Sequence, residues 1–194
     1  MASLDFRLEH DLNRYAGHHH TVDVAARHIA ESQVEVAVVV VGLIAFGWIA
    51  RRNALVVGGI AALAAAALAL VGNVIVSSLW FRKRPFVAHP HVVHLIVHHP
   101  ADASFPSDHA AALAGISVGL LAFAWRLGVV AVVWTLLVGL ARVYVGEHYP
   151  GDVVGGYAIG VVAGLLVLWA VRSRPARAAV ARLPAHLRTR LSYG

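Results

Sequence analysis

The sequence predicts an all-α integral membrane protein, a bundle of about five transmembrane helices behind an N-terminal interfacial helix. Three observations carry that expectation. Of the 194 residues, 59% are hydrophobic and 13% charged, against roughly half and a quarter in soluble domains. Five apolar stretches, near 34–50, 54–81, 107–125, 127–145 and 151–171, approach or exceed the roughly 20 residues that cross a hydrocarbon core. Basic residues gather where alternate stretches end. The spans use up most of the chain, so one membrane domain over 1–172 is expected, followed by a basic cytoplasmic tail over 173–194.

Taken in order, residues 3–16 place Leu4, Leu8, Leu12 and Tyr15 at helical spacing with charges between them, the pattern of an interfacial amphipathic helix. Residues 21–31 predict a second short helix with Thr21 as N-cap, leading into span one. Asp5, Glu9, Asp11, Asp23 and the run His18-His19-His20 leave no basic start or apolar centre for a cleavable signal peptide; span one is expected to do the targeting. Span two carries Asn73, Ser77 and Ser78 in its second half, expected to face the bundle interior. Its small residues from Ala61 to Ala67 allow close helix approach.

Arg51 and Arg52, then Arg126, then Arg172, Arg174, Arg177, Arg182, Arg188 and Arg190 fall on one side, predicted to be cytoplasmic. The N-terminus, the loop 82–106 and the connection 146–150 then lie on the extracytoplasmic side. The run Arg82-Lys83-Arg84 violates that charge rule and so asks for a functional reason. The formal net charge of +6 comes without aromatic interleaving or a recognition helix. Topology signals and membrane-lipid contact explain it better than a nucleic-acid partner. The chain has no cysteine, which excludes disulfides, thiolate metal sites and Cys nucleophiles. Nothing in the pattern specifies an oligomeric state.

Three polar clusters are predicted to meet at the extracytoplasmic mouth: Arg82 to Phe86, Ser104 to His109, and Arg142 with His148 and Asp152. Arg84 and Arg142 offer forked, permanently charged donors to phosphate oxygens. Ser107 can cap span three and Pro150 fits the first turn of span five; two helix N-termini at one place favour a bound phosphate. If helical geometry holds locally, Asp152 reaches an imidazole nitrogen of His148, fixes its tautomer and leaves the other nitrogen free to attack. His109 is placed to protonate a leaving oxygen. The chemistry implied is phosphoryl transfer to His148 followed by hydrolysis, with arginines neutralising charge, no cofactor and no metal.

These clusters resemble the signature of the type 2 phosphatidic-acid phosphatase superfamily, Lys-x6-Arg-Pro, Pro-Ser-Gly-His and Ser-Arg-x5-His-x3-Asp. Here they read Arg84-Pro85, Pro106-Ser107-Asp108-His109 and Arg142-x5-His148-x3-Asp152. A closer resemblance, to the bacitracin-resistance branch of undecaprenyl-diphosphate phosphatases, rests on Arg84 to His89, His94-Leu95-Ile96, Ser104 to His109 and Gly146 to Val153. It implies a bacterial inner-membrane enzyme that converts an isoprenoid lipid diphosphate to the monophosphate, recycles the carrier for peptidoglycan synthesis and removes the bacitracin target. It also implies His148 as nucleophile, Asp152 as its partner, His109 as acid, and Arg84, Ser107 and Arg142 as phosphate ligands. Ser77, Asp108 and Ala141 depart from the signature. Asp108 brings a carboxylate to the substrate site, and Lys83 or Arg82 is expected to replace the lost lysine.

Rival readings stay open at this level. One is a phosphatase for phosphatidylglycerophosphate, phosphatidate or other isoprenyl diphosphates. Another is a His-rich membrane protein that holds a divalent metal on His89, His91, His94, His98 and His99, with Asp102 beside them. Glu147 either tunes its neighbour or faces water. Trp80 and Tyr149 read as interface aromatics or pocket walls.

Overall fold

The computed structural model describes residues 3–173 and 180–191. Among them the helices are α1 Leu4–Asn13, α2 His20–Ala30, α3 Gln33–Ile49, α4 Asn53–Leu79, α5 Pro85–Ala88, α6 Asp108–Phe123, α7 Trp125–Tyr144, α8 Pro150–Arg172 and α9 Ala185–Leu191. The only sheet-like pairing among the described residues is an isolated antiparallel bridge between Lys83 and Ala103. Arg174 and Arg177 of the expected tail lie outside the described residues. The described part of that tail returns to the bundle, where α9 contacts α4.

All five expected stretches are helices, but as spans they match only roughly. By length and composition α4, α7 and α8 can each cross a membrane, and α2 with α3 passes the same test across a 53° bend. The apolar α6 has 16 residues, short of a full crossing. It is enclosed instead, packing against α4, α7 and α8, with Ala110 to Ser117 all buried.

Small residues bring the backbones together. A Cβ on Gly119 of α6 would meet the Ala62 backbone of α4 at 2.5 Å, and one on Gly160 of α8 would collide with the Ala111 carbonyl of α6. Gly156, Gly160 and Gly164 repeat every fourth residue along the face of α8 that meets α6, the small-xxx-small pattern of membrane helix pairs. That repeat was as legible in the sequence as the alanine run of α4. Outward, Val38, Val71, Val130, Leu140, Leu165 and Trp169 are exposed, an apolar girdle suited to lipid.

Local polar bonds set the joints. Ser32 at the α2–α3 bend donates to the Ile29 carbonyl and accepts from Trp134 Nε1 at 3.0 Å. Helix α2 begins at His20, with His19 rather than Thr21 at its N-cap. Asn73 faces inward, as expected. Ser77 and Ser78 do not join it, because their hydroxyls donate back to the Val74 and Ile75 carbonyls of their own helix.

The amphipathic α1 is seated with its polar side in. Glu9 and Asn13 are fully buried, whereas Leu4, Leu8 and Tyr15 are exposed. Asn13 explains the seat: its amide donates to the His94 and Tyr144 carbonyls and accepts from the His94 N–H. Gly146 packs beside it at φ +87°, where a Cβ would also meet the His94 carbonyl at 2.9 Å. Glycine is therefore required there on two counts.

Candidate active site

The three sequence clusters converge at one end of the bundle. The α4–α5 turn delivers Arg82 and Arg84, the segment before α6 delivers Ser104 and Ser107, and the α7–α8 turn delivers Glu147, His148 and Asp152. Arg142 enters from the last turn of α7. Arg84, Ser104, Ser107, Arg142, Glu147, His148 and Asp152 are all buried, so the polar groups at this end must satisfy one another.

His148 is the centre. Its Nδ1 lies 2.9 Å from the Ser104 carbonyl, which can only accept, so the proton sits on Nδ1. Nε2 then presents its lone pair to Arg84 Nη1 at 3.1 Å and Arg142 Nη2 at 3.4 Å. Burial pushes the imidazole pKa down to about 3, reinforced by the two arginines and opposed by Asp152. The ring is a neutral base aimed at a cationic pocket, the state a nitrogen nucleophile needs.

Asp152 does this indirectly. It was expected to bond His148 one helical turn away, but His148 precedes α8, whose N-cap is Tyr149. The Asp152 carboxylate therefore turns back to accept the Tyr149 N–H at 3.0 Å and the Ser104 hydroxyl at 2.5 Å, and stands 3.8 Å from His148 Nδ1. It fixes Ser104, and the Ser104 carbonyl fixes the ring.

Each arginine meets a carboxylate. Arg84 Nε donates to Asp102 at 2.6 Å and its Nη1 to the Glu147 carbonyl. Arg142 Nε lies 2.8 Å from Glu147, itself 1% exposed. Burial raises the Glu147 carboxyl pKa, against Arg142, His99 and Arg84. Arg82 spans Asp152 and Asp5 and lies 3.8 Å over the Tyr149 ring.

The other expected residues divide. Ser107 takes the N-cap position of α6, yet among the described residues its hydroxyl caps nothing and has no hydrogen-bond partner. Its N–H donates to the Asp152 carbonyl, tying α6 to α8. His109 is half-buried one residue into α6, where burial and then the charges of Arg142 and His148 disfavour its protonated form. Asp108 is exposed and accepts from Asn73 at 2.7 Å, which turns it toward α4. Lys83 is exposed and bridges Ala103 through its backbone; among the described residues its side chain makes no bond to the arginine pocket. Tyr149 is a buried wall and Trp80 an exposed interface aromatic. No three His, Asp or Glu side chains among the described residues are grouped as metal ligands. In the His-rich loop, the His89 ring lies 3.8 Å from the Phe6 ring and His99 lies 3.9 Å from Glu147.

Sequence reasoning gave no role to Ser104 and none to Asp102, and left Glu147 undecided. An ionisable residue flanked by Arg142 and His148 was the available signal for Glu147. Ser104 stood at the head of the Ser104 to His109 cluster, but nothing in the pattern pointed to its backbone carbonyl, which is its main contribution.

Known proteins share this chain's sequence and fold. The chain is 37% identical over 133 residues to "Undecaprenyl-diphosphatase BcrC" of Bacillus subtilis (strain 168), covering 69% of this chain and 66% of that protein. It is 36% identical over 130 residues to "Bacitracin transport permease protein BcrC" of Bacillus licheniformis, covering 66% and 62%. The match thus spans slightly under two thirds of these relatives. The fold is shared with Aquifex aeolicus LpxE, at a TM-score of 0.69 and 24% identity over 86% of this chain and 96% of that one. The PAP2 superfamily profile matches residues 58–176, from α4 through α8, and the chain belongs to that superfamily.

Proposed function

We propose that this protein hydrolyses undecaprenyl diphosphate to undecaprenyl phosphate and inorganic phosphate from the extracytoplasmic side of a bacterial inner membrane. The observation that carries the reading is the His148 ring, held through Nδ1 by Ser104 with Nε2 between Arg84 and Arg142. The undecaprenyl-diphosphatase activity for which the Bacillus subtilis relative is named supports the substrate.

In the first step Nε2 forms a bond to the terminal phosphorus. The phosphoanhydride P–O bond breaks, and its electron pair leaves with the lipid monophosphate; the negative charge of the bound diphosphate raises the His109 pKa, so that its imidazolium protonates the leaving oxygen. A phosphate oxygen replaces Asp102 at Arg84, and Arg142 and the free Ser107 hydroxyl hold the other oxygens. The Nδ1–H bond to Ser104 and the nearby Asp152 carboxylate stabilise positive charge on the ring. Water then attacks the phosphohistidine, giving its proton to His109, and His148 leaves as neutral imidazole.

The lipid tail has a place to lie. A cavity of about 310 Å³ between α3, α6 and α7 is lined by Val36, Val40, Leu113, Ile116, Leu120 and Trp134, with Ser32 and Glu35 also on its wall. Ser32 is two residues from Ala30, whose carbonyl accepts from Arg142 at 3.4 Å. An isoprenyl chain in this groove keeps its head group beside the arginines.

The test is phosphate release by detergent-purified protein in excess chelator, with undecaprenyl diphosphate, phosphatidylglycerophosphate and phosphatidate as separate substrates and His148→Ala alongside. Release from the first substrate, fastest of the three and lost in His148→Ala, is expected. Folded wild type that releases nothing, or that works only with a divalent metal, would overturn the reading. Faster release from either glycerolipid would replace the substrate while leaving the chemistry.

A further inference from the structure

Helix α1 joins the ionic network around His148 through Asp5. One Asp5 oxygen accepts the Gly151 N–H at 2.8 Å, and the other accepts Arg82 Nη2 at 2.6 Å. The second arm of the same guanidinium, Nη1, donates to Asp152 at 2.8 Å, and the Tyr149 ring lies 3.8 Å away. Arg82 is therefore a planar fork between two carboxylates 147 positions apart in the chain, Asp5 and Asp152.

The charge count gives this bridge a consequence. Asp152 is the anion nearest the His148 ring, at 3.8 Å from Nδ1, and the ring gains positive charge as its nitrogen bonds phosphorus. Arg82 alone would cancel Asp152. With Asp5 on the opposite arm, the trio carries one net negative charge and the histidine keeps its counter-charge. The fork also prevents Arg82 from turning into the phosphate pocket, leaving Arg84 and Arg142 to face Nε2.

We propose that Asp5 is a positioning residue of the active site, acting through Arg82 to hold Asp152 as the counter-charge of His148. The inference rests on the His148 reaction described above. It assigns to the N-terminal helix a part in turnover that neither its sequence pattern nor the superfamily match, which begins at residue 58, contains.

The experiment measures kcat and KM for phosphate release from undecaprenyl diphosphate, together with Tm in the same detergent, in Asp5→Asn, Arg82→Ala, the double variant and Gly151→Ala. Asp5→Asn should lower kcat roughly 5- to 20-fold, within the coupling range of residues in one ionic network, with KM little changed. The double variant should be no slower than Arg82→Ala alone. Gly151→Ala keeps every charge, but its Cβ would meet Asp5 Oδ2 at 2.8 Å; it should lower kcat in the same way. Asp5→Asn within twofold of wild type overturns the proposal, as does a double variant showing the full product of the single effects. A drop confined to Tm would also overturn it, assigning Asp5 to stability alone. Inactive wild type would instead overturn the His148 reaction, so the two failures are distinguishable.

Discussion

The two ends of this bundle are built from opposite materials. Where the later turns of α6 meet α4, Gly115 against Ala65 and Gly119 against Ala62 bring backbone onto backbone. At the other end three arginines, Asp5, Asp102, Glu147 and Asp152 fill the space between helices. Close van der Waals contact tolerates no added volume. An ionic network tolerates volume more readily than a change of charge or of fork geometry. Catalysis and stability should therefore fail separately.

His148→Ala separates them most sharply: phosphate release should fall at least about 10³-fold with the thermal transition kept near wild type. Arg142→Lys preserves charge but loses the fork facing both Glu147 and Nε2, and roughly a 10²-fold loss of kcat is expected. At the apolar end, Gly119→Ala, whose Cβ would meet the Ala62 backbone at 2.5 Å, should destabilise by about 1–3 kcal/mol while leaving the pH profile of the remaining folded enzyme unchanged. That profile is itself a test, because His148 is held near pKa 3. The acid limb of kcat/KM should fall well below the ordinary histidine range, and a midpoint near 6.5 would contradict the buried neutral nucleophile.

The smallest effect is expected at Glu9, whose buried carboxylate oxygens lack partners among the described residues and whose pKa burial raises to about 7. Between the ordinary 4.5 and that value the folded chain holds a proton that the unfolded chain has lost. Stability therefore declines as pH rises through this window. Glu9→Gln should remove the decline, raising Tm by a few degrees at about pH 8 and leaving it unchanged near pH 4, for a gain of about 1 kcal/mol.

How much was legible follows the same division. Apolar runs and cations at their ends located all five long helices within a few residues, because membrane burial writes its demands continuously along the chain. The pairing of Arg142 with His148 was visible because its spacing is short. The route from Asp152 to His148 was not: it passes through a carbonyl of Ser104, 44 positions from His148. The orientation of α1 was read by its leucines, whereas Asn13 and Asp5 determine it through partners more than 75 residues away. Asp108, an apparent intruder beside the phosphate site, is explained only by Asn73 on another helix.

The seating of α1 also works as a depth gauge. Leu4, Leu8 and Tyr15 point away from the protein, and such a face rests in the headgroup–acyl boundary. Asp5 and Asn13 clamp the opposite face to the turn that carries His148. On the proposed reaction, His148 Nε2 would then stand at the level where lipid phosphates travel in the plane of the membrane. A phosphate carried on a lipid arrives already at the right height, after a two-dimensional search, whereas one dissolved in water must first find the mooring.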